Sequence, residues 1–412
     1  MKISVKKSAP LSGVIEAGGA KNSALPIMAA SILCGKKCQI NSIPKLADTE
    51  NMKEIMCELG CRISDNTFDS GTLCGYTAPY EGVKKLRGSF LLAAPLLVRL
   101  KRAQIPLPGG CPIGTRPIDL HLKGLRALGA EIDTYHGVVD IKCRQLKGAR
   151  IYLDFPSVGA TENLIMAASF ADGETVIENA AAEPEIADLC DFLNKQGANI
   201  RGIGGNTLKI EGVRELSGVT HKIIPDRIEA GTYITAFAIT GGKGIVKNVR
   251  SEHQKPLLAK LAEMGVKITE QGEDFLVDAT SPISSASIKT LPYPGFPTDM
   301  QAPFMSLLSV AKGTGMVVET VFENRFLHIA ELLRMGADIR TDGRTSVVEG
   351  VTRLTGAKVE AHDLRGGAAL AIAGLAAEGE TEISGAEHIF RGYERFCEKL
   401  SGAGADICTL ND

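Results

Sequence analysis

An α/β protein of two similar domains, each made of three repeats with helices inside and sheets outside, is the fold class this sequence predicts. The first observation is a phrase of the form apolar-x-x-apolar-Gly-small-x-Ile that recurs six times, at Ile55–Ile63, Leu125–Ile132, Phe192–Ile200, Leu261–Ile268, Leu332–Ile339 and Leu400–Ile407. Its glycines, Gly60, Gly129, Gly197, Gly265, Gly336 and Gly404, are separated by 69, 68, 68, 71 and 68 residues, and self-similarity at a fixed period is the signature of a repeat architecture. The second is a more apolar helix in each repeat. The third is the length of 412 residues, which suits two domains of ordinary size.

Each phrase reads as the end of an amphipathic helix, a left-handed glycine cap and a strand. In the third copy, Ile186, Leu189 and Leu193 keep helical spacing ahead of Gly197. The more apolar helices include 24–33, 164–171 and 369–377, each followed by a Gly-containing turn. A helix apolar on most of its faces belongs inside. The repeat therefore reads as strand, buried helix, strand, outer helix, strand. With 45 Gly, 5% aromatics and no Trp, the chain packs with small residues, which suits helices lying close to sheets.

The balance of 46 Lys+Arg against 48 Asp+Glu, a net charge of −2, argues against nucleic acid or an anionic membrane as partner. The N-terminus MKISVKKSAPLSG has no apolar core of a signal peptide. The longest apolar run, Phe90–Val98, is 9 residues and contains Pro95, far short of the roughly 18 that span a bilayer. A soluble, cytoplasmic protein is expected. The ten cysteines are scattered and are expected to be reduced. The pairs Cys34/Cys38 and Cys57/Cys61 have no His or further Cys pair to complete a zinc site, and the seven His form no metal set.

Chemistry is expected first in the loop Pro108-Gly-Gly-Cys-Pro-Ile-Gly-Thr-Arg-Pro-Ile-Asp-Leu-His121, which places a thiol, Cys111, five residues before a guanidinium, Arg116. A thiol gains reactivity when exposed near positive charge. The repeat then supplies coordinates. Counting back 14 from the turn after each buried helix gives Lys21, Asp299 and Arg365, with Arg87 and Arg227 within one position and Gly159 in the third unit. Counting back 13 from the capping glycines gives Arg116, Glu323 and Arg391, with Arg325, Asp48 and Glu185 close to the slot. Charged residues thus stand at the heads of apolar helices, where the dipole favours anions. If equivalent slots of stacked repeats converge, they line a cleft with a positive excess, suited to a small ligand carrying phosphates or carboxylates. Interdomain ion pairs are the competing reading for Arg227, Glu229 and Arg325. His121 is placed to contact a ligand, and His328 to pack or cap.

Over essentially its full length the chain resembles the UDP-N-acetylglucosamine 1-carboxyvinyltransferase family of enolpyruvyl transferases. The matching stretches are Gly19-Ala-Lys-Asn22, the 108–121 loop, Ser157-Val-Gly-Ala160, Pro225-Asp-Arg-Ile-Glu229, Phe296-Pro-Thr-Asp-Met-Gln301, Phe322-Glu-Asn-Arg-Phe326, Asp363-Leu-Arg365 and Arg391-Gly-Tyr-Glu-Arg395. The Pro-Gly-Gly-Cys loop separates it from the sister shikimate-pathway enzymes. The resemblance implies transfer of the enolpyruvyl group of phosphoenolpyruvate to the 3′-hydroxyl of UDP-N-acetylglucosamine with release of phosphate. This opens peptidoglycan precursor synthesis and needs no metal or organic cofactor. It also implies two inside-out α/β barrels of three repeats, one formed by 21–226 and the other by 1–20 with 227–412, and an active site in the cleft between them.

By the same resemblance, Lys21, Arg116 and Arg391 clamp phosphoenolpyruvate, Cys111 is the acid and reactive thiol, and Asp299 is the base or hydroxyl anchor. Asn22 binds the sugar, with Arg87 and Arg365 also among the substrate contacts. Pro117, Ile118, Asp119, Leu120 and His121, with Ser157, Val158 and Gly159, hold the uridine and diphosphate, and Val321 the acetamido group. Cys111 is the expected target of fosfomycin, an anionic epoxide. The chain departs from the family pattern at Phe155-Pro156, where some members carry a basic residue, and at Gly88-Ser-Phe90, where Ala-Ser-Tyr is expected. The alternatives are a non-catalytic nucleotide-sugar-binding paralogue and a shikimate-type enolpyruvyl transferase.

Overall fold

A computed structural model describes residues 1–107, 114 and 118–410, with the backbone but not the side chain of Arg87. The described residues divide into a terminal unit, 1–18, Gly114 and 225–410, and a central unit, 19–107 and 118–224. Each unit has its own apolar core.

Three helices fill each core. In the central unit they are α1 (Lys21–Ala30), α2 (Ala93–Leu100) and α3 (Val158–Ala168). In the terminal unit they are α4 (Arg227–Ile239), α5 (Gln301–Leu308) and α6 (Leu364–Ala376). Apart from Arg365, α6 is made only of Leu, Ile, Ala and Gly, and residues 365–375 are all buried. No polar stripe remains to face water, so the helix is stable only as a core element. Its head is fixed by Asp363, whose Oδ1 accepts from the N–H groups of Arg365 (2.9 Å) and Gly366 (3.1 Å). Asp226 heads α4 in the same way, accepting from Ile228 and Glu229 at 2.9 Å each. Such side-chain caps satisfy backbone donors that the first turn leaves open. Small residues let sheets approach closely. A Cβ on Gly244 would stand 2.3 Å from the Phe237 ring of α4.

Around the α1–α3 core lie three sheets: Thr220–Lys222, Lys37–Asn41, Thr67–Asp69 and Arg62–Ser64; Arg102–Pro106, Val138–Lys142 and Glu131–Tyr135; and Asn199–Arg201, Thr207–Glu211, Glu174–Glu178 and Arg150–Tyr152. Among the described residues, three four-stranded sheets and a two-stranded one lie around α4–α6. In one of them Lys2–Lys6 pairs antiparallel with both Glu380–Ser384 and Ile407–Leu410, so the two ends of the described chain share a sheet. Pairing is mixed. Glu174–Glu178 runs parallel to Arg150–Tyr152 and antiparallel to Thr207–Glu211. No helix among the described residues is long and apolar enough to cross a membrane.

The fold is α/β with buried helices, but two expectations need correction. The sheets do not join into closed barrels: among the described residues each ladder ends at its own edge strands, leaving separate sheets around each helical core. The outer helix is also followed by two strands, not one, as in Pro184–Gln196, Asn199–Arg201 and Thr207–Glu211. Residues that tolerate positive φ turn these hairpins, among them Asp65-Asn66, His136-Gly137 and Gly343. The six capping glycines adopt the expected left-handed conformation, with φ between 87° at Gly336 and 109° at Gly197.

Candidate active site

In the central unit Lys21 opens α1. Its Nζ lies 3.1 Å from Oδ2 of Asp48, a buried residue in the first turn of the helix Ala47–Glu58. The two side chains are 12% and 8% exposed, so the ion pair lies where water is scarce. Asn22 beside it is exposed. The head of α1 is anchored by a network the sequence did not reveal. Ser23 Oγ donates to the Asp188 carboxylate, which also meets His221 Nε2 (2.9 Å) and the Ile224 N–H (3.3 Å). Lys195 Nζ donates to His221 Nδ1 at 3.3 Å, which leaves the ring proton on Nε2, facing Asp188. Ser23, Asp188 and His221 are all buried. Satisfied buried networks of this kind hold a single geometry.

Ile118, Asp119, Leu120 and His121 run into the helix Asp119–Ala127. His121 packs edge-on against Phe90 at 5.1 Å between ring centroids, and burial pushes its pKa down to about 4. Its ring faces the first turn of α3, where a Cβ on Gly159 would lie 3.3 Å from Nε2. Ser157 caps that turn by accepting from the Ala160 N–H (3.4 Å), so Ser157, Val158, Gly159 and His121 share one place. One turn deeper in α3, burial, reinforced by Glu185 and Glu183, holds the Glu162 carboxyl well above the usual range.

In the terminal unit Asp299 lies in the short 3₁₀ turn before α5. Arg325 Nη2 donates to its Oδ1 (2.8 Å), and Arg365 donates to Oδ2 from Nη2 (3.0 Å) and Nε (3.2 Å). Both guanidinium side chains are almost fully buried, 3% and 4% exposed, against 26% for Asp299. Arg365 also lies over the Tyr393 ring and Arg325 over Phe322, at 5.1 and 5.3 Å. Arg365, expected among the direct substrate contacts, is bonded to Asp299. Val321 is held by a second residue the sequence did not single out. Buried Glu319 accepts through Oε1 from the Val321 N–H (2.8 Å), the Phe322 N–H (3.1 Å) and Thr290 Oγ1 (2.9 Å), and through Oε2 from Thr298 Oγ1 (2.9 Å). One carboxylate therefore ties the Val321 loop to the residue before Asp299. Arg391 is partly buried, directly after the helix Glu387–Phe390.

Glu229 proves to be a structural ion pair. Its carboxylate takes Lys399 Nζ and the Gly18 N–H at 2.6 Å each and the Tyr233 hydroxyl at 3.0 Å, all within the terminal unit. Arg227 lies over the Tyr293 ring at 5.9 Å. His328 is buried, with its pKa pushed down to about 4 by burial. The nine described cysteines form no disulfide. Cys34 and Cys38 approach to 3.5 Å between Sγ atoms, and the hydrogen bond with Cys38 draws the buried Cys34 thiol down to about 6. Cys111, Arg116 and Pro117 lie outside the described residues, as does the side chain of Arg87.

Residues 5–400 match the family of EPSP synthase (3-phosphoshikimate 1-carboxyvinyltransferase). UDP-N-acetylglucosamine 1-carboxyvinyltransferase 1 of Caldanaerobacter subterraneus subsp. tengcongensis is 54% identical over 409 residues, covering 98% of this chain and 99% of the relative. UDP-N-acetylglucosamine 1-carboxyvinyltransferase 2 of Carboxydothermus hydrogenoformans is 52% identical over 411 residues, covering 98% and 97%. Among solved structures, the enolpyruvyl transferase NikO from Streptomyces tendae superposes with a TM-score of 0.88 at 25% identity, over 99% of this chain and 98% of that one. An EPSP synthase from Acinetobacter baumannii gives 0.78 at 18% identity, over 98% and 99%, a likeness of fold alone. The family match leaves the two branches of enolpyruvyl transferase side by side, and full-length identity above half separates them: the chain belongs to the UDP-N-acetylglucosamine 1-carboxyvinyltransferase family.

Proposed function

We propose that this chain transfers the enolpyruvyl group of phosphoenolpyruvate to the 3′-hydroxyl of UDP-N-acetylglucosamine and releases inorganic phosphate. The observation that carries the reading is the identity of 52–54%, over 98% of the chain, to relatives bearing that name. The reaction is an addition followed by an elimination. In the addition the sugar oxygen bonds to C2 of phosphoenolpyruvate, its proton leaves, and the methylene carbon takes up a proton. In the elimination a proton leaves the new methyl group and the C–O bond to phosphate breaks.

Lys21, Arg116 and Arg391 would clamp the phosphate and carboxylate, with Asp48 orienting the Lys21 ammonium. Cys111 would deliver the proton to the methylene carbon. Asn22 and Arg87 would meet the nucleotide sugar. Residues 117–121 with Ser157, Val158 and Gly159 would hold its uridine and diphosphate, and Val321 its acetamido group. Two guanidiniums fix the orientation of the Asp299 carboxylate, so Asp299 suits the anchoring or deprotonation of the 3′-hydroxyl, with Arg325 and Arg365 acting through it. The central and terminal units would serve as domains, with boundaries at 21–226 and at 1–20 with 227–412. The setting would be the cytoplasm, the product a peptidoglycan precursor, and fosfomycin an alkylating inhibitor at Cys111.

Phosphate release with phosphoenolpyruvate and UDP-N-acetylglucosamine tests the reading. Turnover with 3-phosphoshikimate instead would make the chain a shikimate-type enzyme, and binding of the nucleotide sugar without phosphate release would make it a non-catalytic relative.

A further inference from the structure

Asn163 is fully buried in the middle of α3 and makes no contact that its own helix requires. Its amide is oriented by two backbone groups of opposite polarity: Oδ1 accepts from the Ala94 N–H at 3.1 Å, and Nδ2 donates to the Phe90 carbonyl at 3.2 Å. Turning the amide over would set donor against donor and acceptor against acceptor, so its orientation is determined. The second hydrogen of Nδ2 then points at His121 Nδ1, 2.9 Å away. That nitrogen has to accept. A neutral imidazole with Nδ1 accepting carries its proton on Nε2.

The opposite edge of the ring faces Gly159, where an added Cβ would stand 3.2 Å from Cε1 and 3.3 Å from Nε2. Phe90, perpendicular to the imidazole at 85°, holds the ring plane. Protonation of Nδ1 would face an amide donor, in keeping with the lowered pKa of about 4 that burial produces.

We propose that Asn163 is a positioning residue that locks His121 in its Nε2–H tautomer, so that His121 presents a neutral donor beside the first turn of α3 to an acceptor oxygen of the substrate diphosphate. The proposal rests on the reading that the nucleotide sugar binds beside residues 118–121 and 157–159. A neutral donor adds directionality without a buried charge, since its N–H points only where Asn163 allows.

Three measurements on the full-length protein decide it. Nitrogen-detected NMR of 15N-histidine-labelled protein near pH 7, without ligand, is expected to show the His121 proton on Nε2. A proton on Nδ1 overturns the proposal, and this readout does not depend on the substrate reading. Asn163→Asp offers an acceptor to Nδ1 and is expected to move a proton there. UDP-N-acetylglucosamine binding, followed by calorimetry, is then expected to weaken about tenfold, the scale of one hydrogen bond to a charged group. If the tautomer moves and affinity stays, the proposal fails. His121→Gln places an amide donor near the Nε2 position and is expected to bind within about threefold of wild type, whereas His121→Ala loses about tenfold. Equal affinity for the two variants overturns the donor role even if Asn163→Asp does not fold. Failure of the wild type to bind UDP-N-acetylglucosamine, with the tautomer as expected, refutes the substrate reading instead.

Discussion

Asp299→Asn tests the Asp299 cluster in both stability and chemistry. The substitution keeps the shape of the side chain and one acceptor oxygen but removes the charge that faces two guanidiniums, each at most 4% exposed. In addition, Arg325 Nη1 and Arg365 Nη1 are buried without a hydrogen-bond partner among the described residues, which leaves the Phe322 and Tyr393 rings as the nearest remaining compensation. Stranding a buried charge costs about 3–5 kcal/mol, and the retained acceptor oxygen points to the lower end, about 3 kcal/mol. A domain of roughly 200 residues loses about 2–4 °C in Tm per kcal/mol, so a drop of about 6–12 °C is expected. Turnover is expected to fall at least about tenfold, the scale of one hydrogen bond to a charged acceptor, with nucleotide-sugar binding largely retained in the folded variant. Calorimetric melting and phosphate release measure both. Adding Arg325→Met to Asp299→Asn should cost much less than the same change in wild type, a coupling of about 1–3 kcal/mol. A Tm within 2 °C of wild type would refute the buried-cation argument. Wild-type turnover would remove Asp299 from the reaction.

Lys21→Ala and Arg391→Ala are each expected to weaken phosphoenolpyruvate binding at least about tenfold while changing nucleotide-sugar affinity little; equal losses for both substrates would assign these residues to the fold. Cys111 is expected to be the first thiol alkylated by a small anionic epoxide, and faster with UDP-N-acetylglucosamine present, as peptide mapping would show. Cys34, with its thiol drawn down to about 6 but buried, is the informative competitor, and labelling there first would show that thiolate character outweighs access. Asp140 bonds to Arg102 at 2.8 and 2.9 Å, which holds its carboxyl far below the ordinary value. A depressed carboxylate stabilises the fold above the unfolded pKa of about 4, and that stability is lost as pH falls through the folded value. Asp140→Asn should therefore lower Tm at pH 7, and the gap to wild type should narrow only below about pH 4. A gap independent of pH would refute the ionic origin.

The elements that were legible in the sequence depend on short stretches of chain. The glycine caps and the apolar inner helices are local patterns, and both appear as expected. The second strand after each outer helix was not legible, because its turn residues differ from copy to copy, as Asp65-Asn66 and His136-Gly137 do. The site shows the same division. Counting from the repeat brought out Lys21, Asp299 and Arg365 as charged residues at helix heads. Charge alone does not say which partner a side chain faces, and nothing near Arg365 marks Asp299, 66 positions away, as its partner. Ser23 and Asp188 are 165 positions apart, and nothing near either marks them as partners. Asn163 and Glu319 carried no signal in their neighbourhoods. A polar residue among apolar ones hints at a buried network, but its partners become visible only in three dimensions.

The six capping glycines share one backbone conformation in unlike surroundings. An added Cβ would meet Thr72 O at 2.8 Å and Cys74 Sγ at 2.9 Å at Gly60, but nothing within 4 Å at Gly197 or Gly404. At the open sites only the backbone demands glycine, and an L-residue is penalised there for its handedness, by roughly 1–2 kcal/mol. A mirror-image alanine carries no such penalty at positive φ. The molecule thus contains its own set of replicates: the cost of L-alanine at Gly197 and Gly404 reports handedness alone, and its excess cost at Gly60 reports crowding.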